Sequence, residues 1–281
     1  MTLEQLYRKG RSQLAMMQNE SPSFDALCLF QFCFGLDRAG LAIHGGENVQ
    51  ESDAGRFLEL IRRRSAGEPL QYLLGEWTFM GLPFFVGEGV LIPREETELL
   101  VTESVQFTKT LSSPLVLELC AGSGAVCVSL QKQAPHAQVT AVELSDKAIS
   151  YLEKNIRRHH AAVSVIKTDV LQPPPKGMKK QHVLLANPPY VTTEEMKGLS
   201  REVKREPEMA LWGGDDGLTF YRAILSYWLP LLLPGGLLAV ECGKGQAKRI
   251  ADMMEQAGLT QIQIKSDFNG INRLVRGEQK K

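Results

Sequence analysis

Short apolar runs alternate with helix-like stretches from residue 115 onward, and this alternation most constrains the fold. The runs occupy residues 115–119, 138–142, 163–167 and 182–186, and each leads into a turn with glycine, proline or acidic residues. Runs of that length are typical of buried strands, and strands that alternate with helices indicate parallel βαβ units. We therefore predict an α/β fold with an open parallel sheet, whose ligands lie at the carboxyl ends of the strands.

The pattern after the fourth run predicts the rest of this sheet. A polar excursion over residues 191–216 precedes a helix over residues 217–233, a fifth strand over residues 237–241 and a helix over residues 244–257. Residues 260–264 and 271–275 are predicted as two final strands. The remaining polar tail, residues 277–281, is expected to be disordered.

The first 67 residues have a helical pattern and predict a small bundle. Thr2 followed by Gln5 is a candidate capping box. Arg62, Arg63 and Arg64 end its last helix, where cations suit the helix dipole, and we expect them to be solvated. Residues 68–92 are predicted as a linker that contains a β-hairpin, with strands over residues 76–80 and 83–86. The α/β domain then occupies residues 93–281.

Composition favours a cytoplasmic protein that does not grip nucleic acid. Lys and Arg together number 32, as do Asp and Glu, so the net charge is zero, whereas proteins that bind nucleic-acid backbone are usually basic. The five cysteines lack paired CxxC spacing, which disfavours disulfides and structural zinc, and no metal site is predicted. The apolar run before Pro234 is too short to span a bilayer, and no signal peptide is visible. We expect a cytoplasmic monomer that contacts neither membrane nor nucleic acid directly.

The fourth strand ends in Asn187-Pro188-Pro189-Tyr190, a loop that presents hydrogen-bond acceptors. Because neither proline has an N–H, the loop offers mainly the Asn187 side-chain oxygen and the Pro188 carbonyl, and Tyr190 adds a flat ring. Such a site suits a planar NH2 group, which donates two hydrogen bonds and lies against the ring. Two acceptors also orient that weak nucleophile as it attacks. An ordinary strand followed by a proline-rich turn is the alternative.

A glycine-rich turn after the first strand indicates a nucleotide site. Gly122 and Gly124 allow positive φ angles or close backbone approach. Glu143 ends the second strand about 20 residues further on, where a carboxylate accepts both ribose hydroxyls. Asp169 follows the third strand and is placed to accept from an adenine amino group, with a turn-capping carboxylate as the alternative. The turn lacks the GxGxxG spacing of a pyrophosphate binder, and therefore predicts a phosphate-free adenosine ligand, S-adenosylmethionine.

Longer motifs carry a resemblance to a known family. They are Glu68-Pro69-Leu70-Gln71-Tyr72, Leu91-Ile92-Pro93-Arg94-Glu95-Glu96-Thr97-Glu98, Glu206-Pro207-Glu208-Met209-Ala210-Leu211 and Glu241-Cys242-Gly243. With the loop at Asn187, they resemble the PrmC/HemK family of release factor glutamine methyltransferases, which are class I S-adenosylmethionine-dependent enzymes. The resemblance covers essentially the whole chain. It implies a Rossmann-like class I methyltransferase domain with a small N-terminal helical bundle, joined by a β-hairpin.

That resemblance implies methyl transfer from S-adenosylmethionine to the side-chain amide nitrogen of the glutamine in the Gly-Gly-Gln loop of peptide chain release factors. Asn187, Pro188 and Tyr190 would be catalytic, Pro189 would complete the substrate-binding loop, and the helical domain would recognise the release factor. The implied cofactor-binding residues are Cys120, Ala121, Gly122, Ser123, Gly124, Glu143, Asp169, Val170 and Asn187. Catalysis would rest on positioning without a general base, and Cys120 would act through its backbone.

The sequence also departs from the family pattern and leaves alternatives open. The family usually has Pro at Glu95 and Gly-Thr at Cys120-Ala121, which predicts altered fine geometry in the turn without loss of binding. A nucleic-acid amino-methyltransferase would share the loop at Asn187 but would need a basic recognition domain. An enzyme that methylates a ribosomal-protein glutamine would share the catalytic core. A silent scaffold on the same fold is disfavoured by the intact motif residues.

Overall fold

The computed structural model describes residues 1–17 and 19–281, which form two compact units. One unit comprises Met1–Glu76 together with Ser200–Arg205, and the other comprises Trp77–Leu199 together with Glu206–Lys281. The short segment at residues 200–205 therefore belongs with the N-terminal helices, although the chain on both sides of it belongs to the larger unit.

The smaller unit is a helical bundle. Its helices are α1 (Leu3–Met16), α2 (Pro22–Phe34), α3 (Arg38–His44), α4 (Glu51–Ser65) and α5 (Leu70–Leu74). The predicted capping box is confirmed, because the Thr2 hydroxyl accepts from the Gln5 N–H and the Gln5 side chain accepts from the Thr2 N–H. Leu6, Phe30 and Phe57, one each from α1, α2 and α4, are fully buried. Burial of these apolar side chains stabilises the bundle.

Arg64 corrects the expectation that all three arginines at the end of α4 are solvated. Its side chain is only 6% exposed, and its Nε donates to Asp25 Oδ2 at 2.6 Å. One terminal nitrogen donates to Glu202 Oε1 at 2.5 Å, and the other donates to the Glu68 carbonyl at 3.2 Å. Arg62 is exposed, as predicted. A buried guanidinium needs such partners to offset its desolvation, and through Glu202 it holds the segment at residues 200–205 in the bundle.

The larger unit contains the predicted α/β domain and, except for Glu76, the predicted hairpin of β1 (Glu76–Phe79) and β2 (Leu82–Phe85). The remaining strands are β3 (Leu115–Leu119), β4 (Gln138–Glu143), β5 (Val163–Lys167), β6 (Gln181–Ala186), β7 (Leu232–Glu241), β8 (Leu259–Ser266) and β9 (Asn272–Gln279). The remaining helices are α6 (Glu98–Thr108), α7 (Ala125–Gln133), α8 (Asp146–His159), α9 (Thr193–Gly198), α10 (Thr219–Ala223) and α11 (Ala247–Gln256).

In the described chain, seven of these strands form one mixed sheet, in the order β5-β4-β3-β6-β7-β9-β8. Strands β3 to β7 run parallel, and β9 is antiparallel to both β7 and β8. Alternate residues face opposite layers, so that Val116 packs in one apolar core and Leu117 in the other. The strand order reverses between β3 and β6, and open α/β sheets bind ligands outside the carboxyl ends of the strands at such a reversal.

The helix predicted over residues 217–233 is shorter and less regular than expected. After α10 the chain forms a π-helical turn at Ile224–Trp228 and a 3-10 turn at Leu229–Leu231, and β7 begins directly afterwards. Pro230 has no N–H to donate within a helix and its ring clashes with the preceding turn. Regular helix therefore ends before it, and the fifth strand is longer than the sequence pattern predicts.

The tail that was predicted to be disordered is largely part of β9. Gly277 pairs with Leu238 and Glu278 pairs with Leu237 in antiparallel register. A Cβ on Gly277 would lie 2.7 Å from Ile262 Cδ1, so the glycine serves close packing inside a strand. The prediction was wrong because backbone pairing holds these polar residues in the sheet, whatever their hydropathy.

Within the described residues, no single helix is long and apolar enough to cross a membrane. The helices α2 and α3, which are bent relative to each other, reach the length and apolar composition of a membrane span only when the two are taken together.

We predict that Arg64→Ala destabilises the helical unit by about 3–5 kcal/mol, because the buried Asp25 carboxylate loses its cation. Urea unfolding followed by circular dichroism measures the change. The control Arg62→Ala removes an exposed ion pair and should change the free energy of unfolding by less than about 1 kcal/mol. Equal effects of the two substitutions would contradict a structural role for the buried pair.

Candidate active site

The carboxyl ends of the central strands bring the predicted site residues together at one pocket. The pocket has a volume of about 280 Å³ and lies within the larger unit. The predicted residues that line it are Cys120, Gly122, Glu143, Asp169, Val170, Asn187 and Pro189. The remaining predicted residues adjoin these in the chain but do not line the pocket, and they are Ala121, Ser123, Gly124, Pro188 and Tyr190.

Positive φ angles shape the turn between β3 and α7. Gly122 has a φ of 55° and Gly124 a φ of 80°, as expected for a tight glycine turn. A Cβ on Gly124 would lie 2.4 Å from Leu152 Cδ1, whereas one on Gly122 would meet no atom within 4 Å. Gly124 therefore serves close packing, and Gly122 leaves open space at the pocket. Cys120 has a φ of 60°, a conformation that costs a residue with a Cβ about 1–2 kcal/mol.

Backbone hydrogen bonds of Ala121 and Ser123 fix the turn to neighbouring elements. The Ala121 N–H donates to the Val142 carbonyl at 3.0 Å, and the Ser123 carbonyl accepts from Asn155 Nδ2 at 2.9 Å. The Asn155 side chain also accepts from the Phe85 N–H at 2.7 Å. This buried amide on α8 therefore hydrogen bonds to both the hairpin and the glycine turn and holds the two together.

Backbone N–H groups hold the Glu143 carboxylate at the pocket. Its Oε1 accepts from Leu144 and Ser145, both at 2.8 Å, and its Oε2 accepts from Gly122 at 2.8 Å. A carboxylate oxygen has more than one acceptor site, so Oε2 retains capacity for a ligand hydroxyl. The sequence therefore placed this side chain correctly, at the end of β4 and beside the glycine turn.

Asp169 caps a turn and also faces the pocket. Its Oδ1 accepts from the Leu171 N–H at 2.8 Å, which is the turn-capping alternative raised by the sequence. The same residue lines the pocket, so its role toward adenine stays a prediction beside the turn-capping role. Val170 is buried beside it, and its carbonyl accepts from the Trp228 indole at 2.9 Å. The indole thereby anchors this loop to the π-helical turn at Ile224–Trp228.

The loop after β6 is fixed by side chains from other elements: Thr97 directly precedes α6, Glu241 ends β7, and Gln246 directly precedes α11. Asn187 Nδ2 donates to Thr97 Oγ1 at 3.1 Å, and the Tyr190 hydroxyl donates to Glu241 Oε1 at 3.5 Å. The Tyr190 carbonyl accepts from Gln246 Nε2 at 2.8 Å. Burial raises the pKa of Tyr190, so its hydroxyl stays protonated at neutral pH.

Close backbone contact explains why residue 213, in the polar segment over residues 191–216, is a glycine. A Cβ on Gly213 would lie 2.6 Å from the Pro189 carbonyl oxygen and 2.7 Å from Tyr190 Cα. The Gly213 N–H donates to the Val191 carbonyl at 2.9 Å, next to a parallel bridge between Val191 and Trp212. The excursion therefore packs directly on the loop that follows β6.

Sequence reasoning assigned no role to several residues that hold the site. Glu206 is buried, accepts from the Ile92 N–H at 2.9 Å and pairs with Arg94. Thr97 and Gln246 contact the loop after β6, as described above. Glu206 and Thr97 lie within the quoted motifs, so their positions were visible in the sequence. Their roles were not visible, because their partners are distant along the chain.

The surroundings of the turn raise the pKa of two titratable groups, Cys120 within it and Glu118 at the end of β3. Burial raises the pKa of the Cys120 thiol well above its usual value, which agrees with the expectation that Cys120 is no nucleophile. Burial also raises the pKa of Glu118 to about 8. The Glu118 carboxyl accepts from the Cys127 N–H at 2.9 Å, and so satisfies a donor in the first turn of α7.

The chain is similar to curated proteins along nearly its whole length. It is 37% identical over 277 residues to the release factor glutamine methyltransferase of Geobacter sulfurreducens, an alignment that covers 98% of this chain and 96% of that protein. It is 37% identical over 276 residues to the protein of the same name from Moorella thermoacetica, with 97% of each chain covered.

A solved structure shares the fold. A methyltransferase from Pyrococcus furiosus superposes with a TM-score of 0.52 at 18% identity, covering 73% of this chain and 92% of that one. This likeness confirms the α/β methyltransferase fold.

Two family descriptions match separate parts of the sequence. Residues 5–75 match the PrmC N-terminal domain, and residues 96–207 match the methyltransferase small domain. The first match falls on the helical bundle, and the second covers part of the pocket, including Glu143, Asp169 and Asn187. Together with the full-length relatives, these matches confirm the resemblance carried by the motifs: the chain belongs to the release factor glutamine methyltransferase family of class I methyltransferases.

Proposed function

We propose that this protein transfers a methyl group from S-adenosylmethionine to the side-chain amide nitrogen of the glutamine in the Gly-Gly-Gln loop of peptide chain release factors. One observation carries the proposal. The acceptor-rich loop at Asn187 and Pro189 borders a pocket that also presents two carboxylates, those of Glu143 and Asp169. The pocket suits the adenosyl cofactor, and the loop suits a planar amide NH2.

The chemistry of the pocket fits this cofactor. Glu143 and Asp169 line it, and the described lining includes neither lysine nor arginine, so a phosphate group would be disfavoured there. Glu143 Oε2 would accept from ribose hydroxyls, and Asp169 would accept from the adenine amino group. The open space above Gly122 allows close approach to the backbone. S-adenosylmethionine supplies an electrophilic methyl group on a positively charged sulfur.

The loop after β6 would hold the glutamine amide. Asn187 Oδ1 and the Pro188 carbonyl would each accept one hydrogen of the amide NH2, and the Tyr190 ring would lie against the amide face. This arrangement aims the nitrogen lone pair at the methyl carbon and stabilises the charge that develops on nitrogen as the bond forms. The sulfur–methyl bond breaks as the nitrogen–methyl bond forms.

Proton release needs no side-chain base. Burial keeps the Tyr190 hydroxyl and the Cys120 thiol protonated, so neither group accepts a proton at neutral pH. An amide nitrogen that has gained a methyl group is strongly acidic, and its proton passes to solvent after the transfer. The residues of the loop therefore act by positioning.

We also propose that the helical unit recognises the release factor. A groove in this unit is lined by basic and aromatic side chains, among them the exposed Arg11, Phe24 and Arg38 and the half-buried Tyr7. Aromatic and arginine side chains are enriched where proteins bind proteins. The cofactor and the glutamine would bind in the larger unit, while this groove would select the partner. The protein would work as a cytoplasmic monomer.

Methyl transfer from labelled S-adenosylmethionine to a purified release factor, followed by mass spectrometry of the modified peptide, tests the function. We expect one methyl group on the glutamine of the Gly-Gly-Gln loop. Asn187→Ala should lower kcat by about 100-fold or more, because the acceptor that orients the nitrogen is lost. Asn269→Ala, in the exposed loop between β8 and β9, is the matched control and should keep full activity.

Parallel acceptors separate this function from its alternatives. Duplex DNA, ribosomal RNA and ribosomal proteins are offered under the same conditions. Transfer to one of these in preference to the release factor, or near-normal turnover by Asn187→Ala, would contradict the proposal.

Charge reversal in the groove tests partner recognition. Arg11→Glu with Arg38→Glu should raise KM for the intact release factor by about tenfold, because charge complementarity across the interface is lost. The affinity for S-adenosylmethionine, measured by calorimetry, should stay unchanged. Lys176→Glu, an exposed reversal in the larger unit, is the control. An unchanged KM in the double variant would rule out this groove as the recognition surface.

A further inference from the structure

Two segments from distant parts of the chain contribute walls to the pocket at the glycine turn. The first wall consists of Gly89, Val90 and Leu91. The second wall is the segment over residues 207–212, of which Pro207, Met209, Ala210 and Trp212 line the pocket. Neither segment belongs to a strand of the seven-stranded sheet, so other contacts must hold the two walls in place.

Glu206 joins the two walls. It directly precedes the second wall, and its Oε2 accepts from the N–H of Ile92, the residue that directly follows the first wall, at 2.9 Å. Its Oε1 accepts from a terminal nitrogen of Arg94. The Glu206 side chain is only 2% exposed. Burying a carboxylate costs free energy that hydrogen bonds from these two donors offset, and the donors fix where the carboxylate lies.

Backbone hydrogen bonds fasten the other end of the second wall. The Leu211 carbonyl accepts from the Val191 N–H at 2.8 Å, and the Val191 carbonyl accepts from the Gly213 N–H at 2.9 Å. Between its two fastened ends the wall forms the 3-10 turn Glu208–Ala210. Loss of the Glu206 contact would therefore free one end of the second wall while the other end stays attached to the chain that follows Tyr190.

We propose that Glu206 is a positioning residue that holds the two walls of the pocket at the spacing that binds S-adenosylmethionine. We call the contact of Glu206 with Ile92 and Arg94 the wall clasp. The inference rests on the proposed function, since it takes S-adenosylmethionine as the occupant of this pocket. In the described chain, neither Glu206 nor Arg94 lines the pocket, so the clasp acts through the walls and not by contact with the cofactor.

A wall that is free at one end spends part of its time away from the pocket. Only the molecules with both walls in place bind the cofactor tightly, so the measured Kd rises in inverse proportion to their fraction. The loop that would hold the glutamine has its own contacts, from Thr97 to Asn187 and from Gln246 to Tyr190. The clasp should therefore set the affinity for the cofactor and leave the rate at saturating cofactor unchanged.

Glu206→Gln tests the clasp. Glutamine keeps the size of the side chain but has only one acceptor oxygen, so its NH2 group would face one of the two donors. The Kd for S-adenosylhomocysteine, measured by calorimetry, and the KM for S-adenosylmethionine should each rise about tenfold. At saturating cofactor, kcat and the KM for the release factor should stay within about twofold of the parent values, because only cofactor binding is weakened.

Glu208→Gln is the matched control, since it is the same substitution at an exposed position in the same segment. It should leave the Kd for S-adenosylhomocysteine unchanged.

Arg94→Gln tests the clasp from its other side. Arg94 is 32% exposed, so this variant keeps the test valid if Glu206→Gln fails to fold. It should also raise the Kd for S-adenosylhomocysteine. The double variant should lose less binding free energy than the sum of the two single losses, because the two side chains share one contact.

Two results would overturn the clasp. One is an unchanged Kd for S-adenosylhomocysteine in folded Glu206→Gln or Arg94→Gln, and the other is a loss of kcat at saturating cofactor as large as the rise in KM. A parent protein that does not bind S-adenosylhomocysteine would overturn the proposed cofactor and the clasp together. A parent that binds it but methylates no release factor would overturn the proposed substrate alone, and the Kd measurements would still decide on the clasp.

Discussion

Parallel register between the central strands is the constraint on which the site depends. Leu119 on β3 pairs with Ala186 on β6, which in turn pairs with Val240 on β7. The next residue of each strand therefore begins the glycine turn, begins the loop at Asn187, or is Glu241. A slip of one residue would turn each of these side chains to the opposite face of the sheet. The buried apolar residues on both faces prevent such a slip. Packing of the core therefore fixes which side chains lie at the site.

The loops that follow the strands carry most of the site residues, and contacts with other segments hold these loops in place. Gln246 and the backbone at Gly213 hold the loop after β6 in place, and Glu206 fastens the segment around Ile92. The resulting site offers acceptors to a group whose nitrogen is a weak nucleophile. In this account, transfer depends on orientation and on charge that develops in the transition state. Hydrogen bonds from buried side chains supply this orientation, since Thr97 and Gln246 both bond to the loop.

The sequence predicted the elements whose signals are local. Strand ends, the glycine turn, Glu143 and the loop at Asn187 were all recognisable, because each rests on residues that are close together along the chain. Contacts between distant residues were not recognisable. Asn187 and Thr97 are 90 residues apart, and Arg64 and Glu202 are 138 apart, so no periodicity or spacing records them. Gly277 led to the wrong prediction of a disordered tail for a related reason. In a sequence, a glycine that follows the end of a strand looks the same as a glycine that packs within a strand.

A crystal structure of the protein with S-adenosylhomocysteine and a release factor tests the central claim most directly. The account predicts that the glutamine side-chain nitrogen lies about 2.9 Å from both Asn187 Oδ1 and the Pro188 carbonyl oxygen. It also predicts that Asn187 Nδ2 still faces Thr97. A glutamine nitrogen held by other groups, or an Asn187 amide turned with Nδ2 toward the glutamine, would contradict the account.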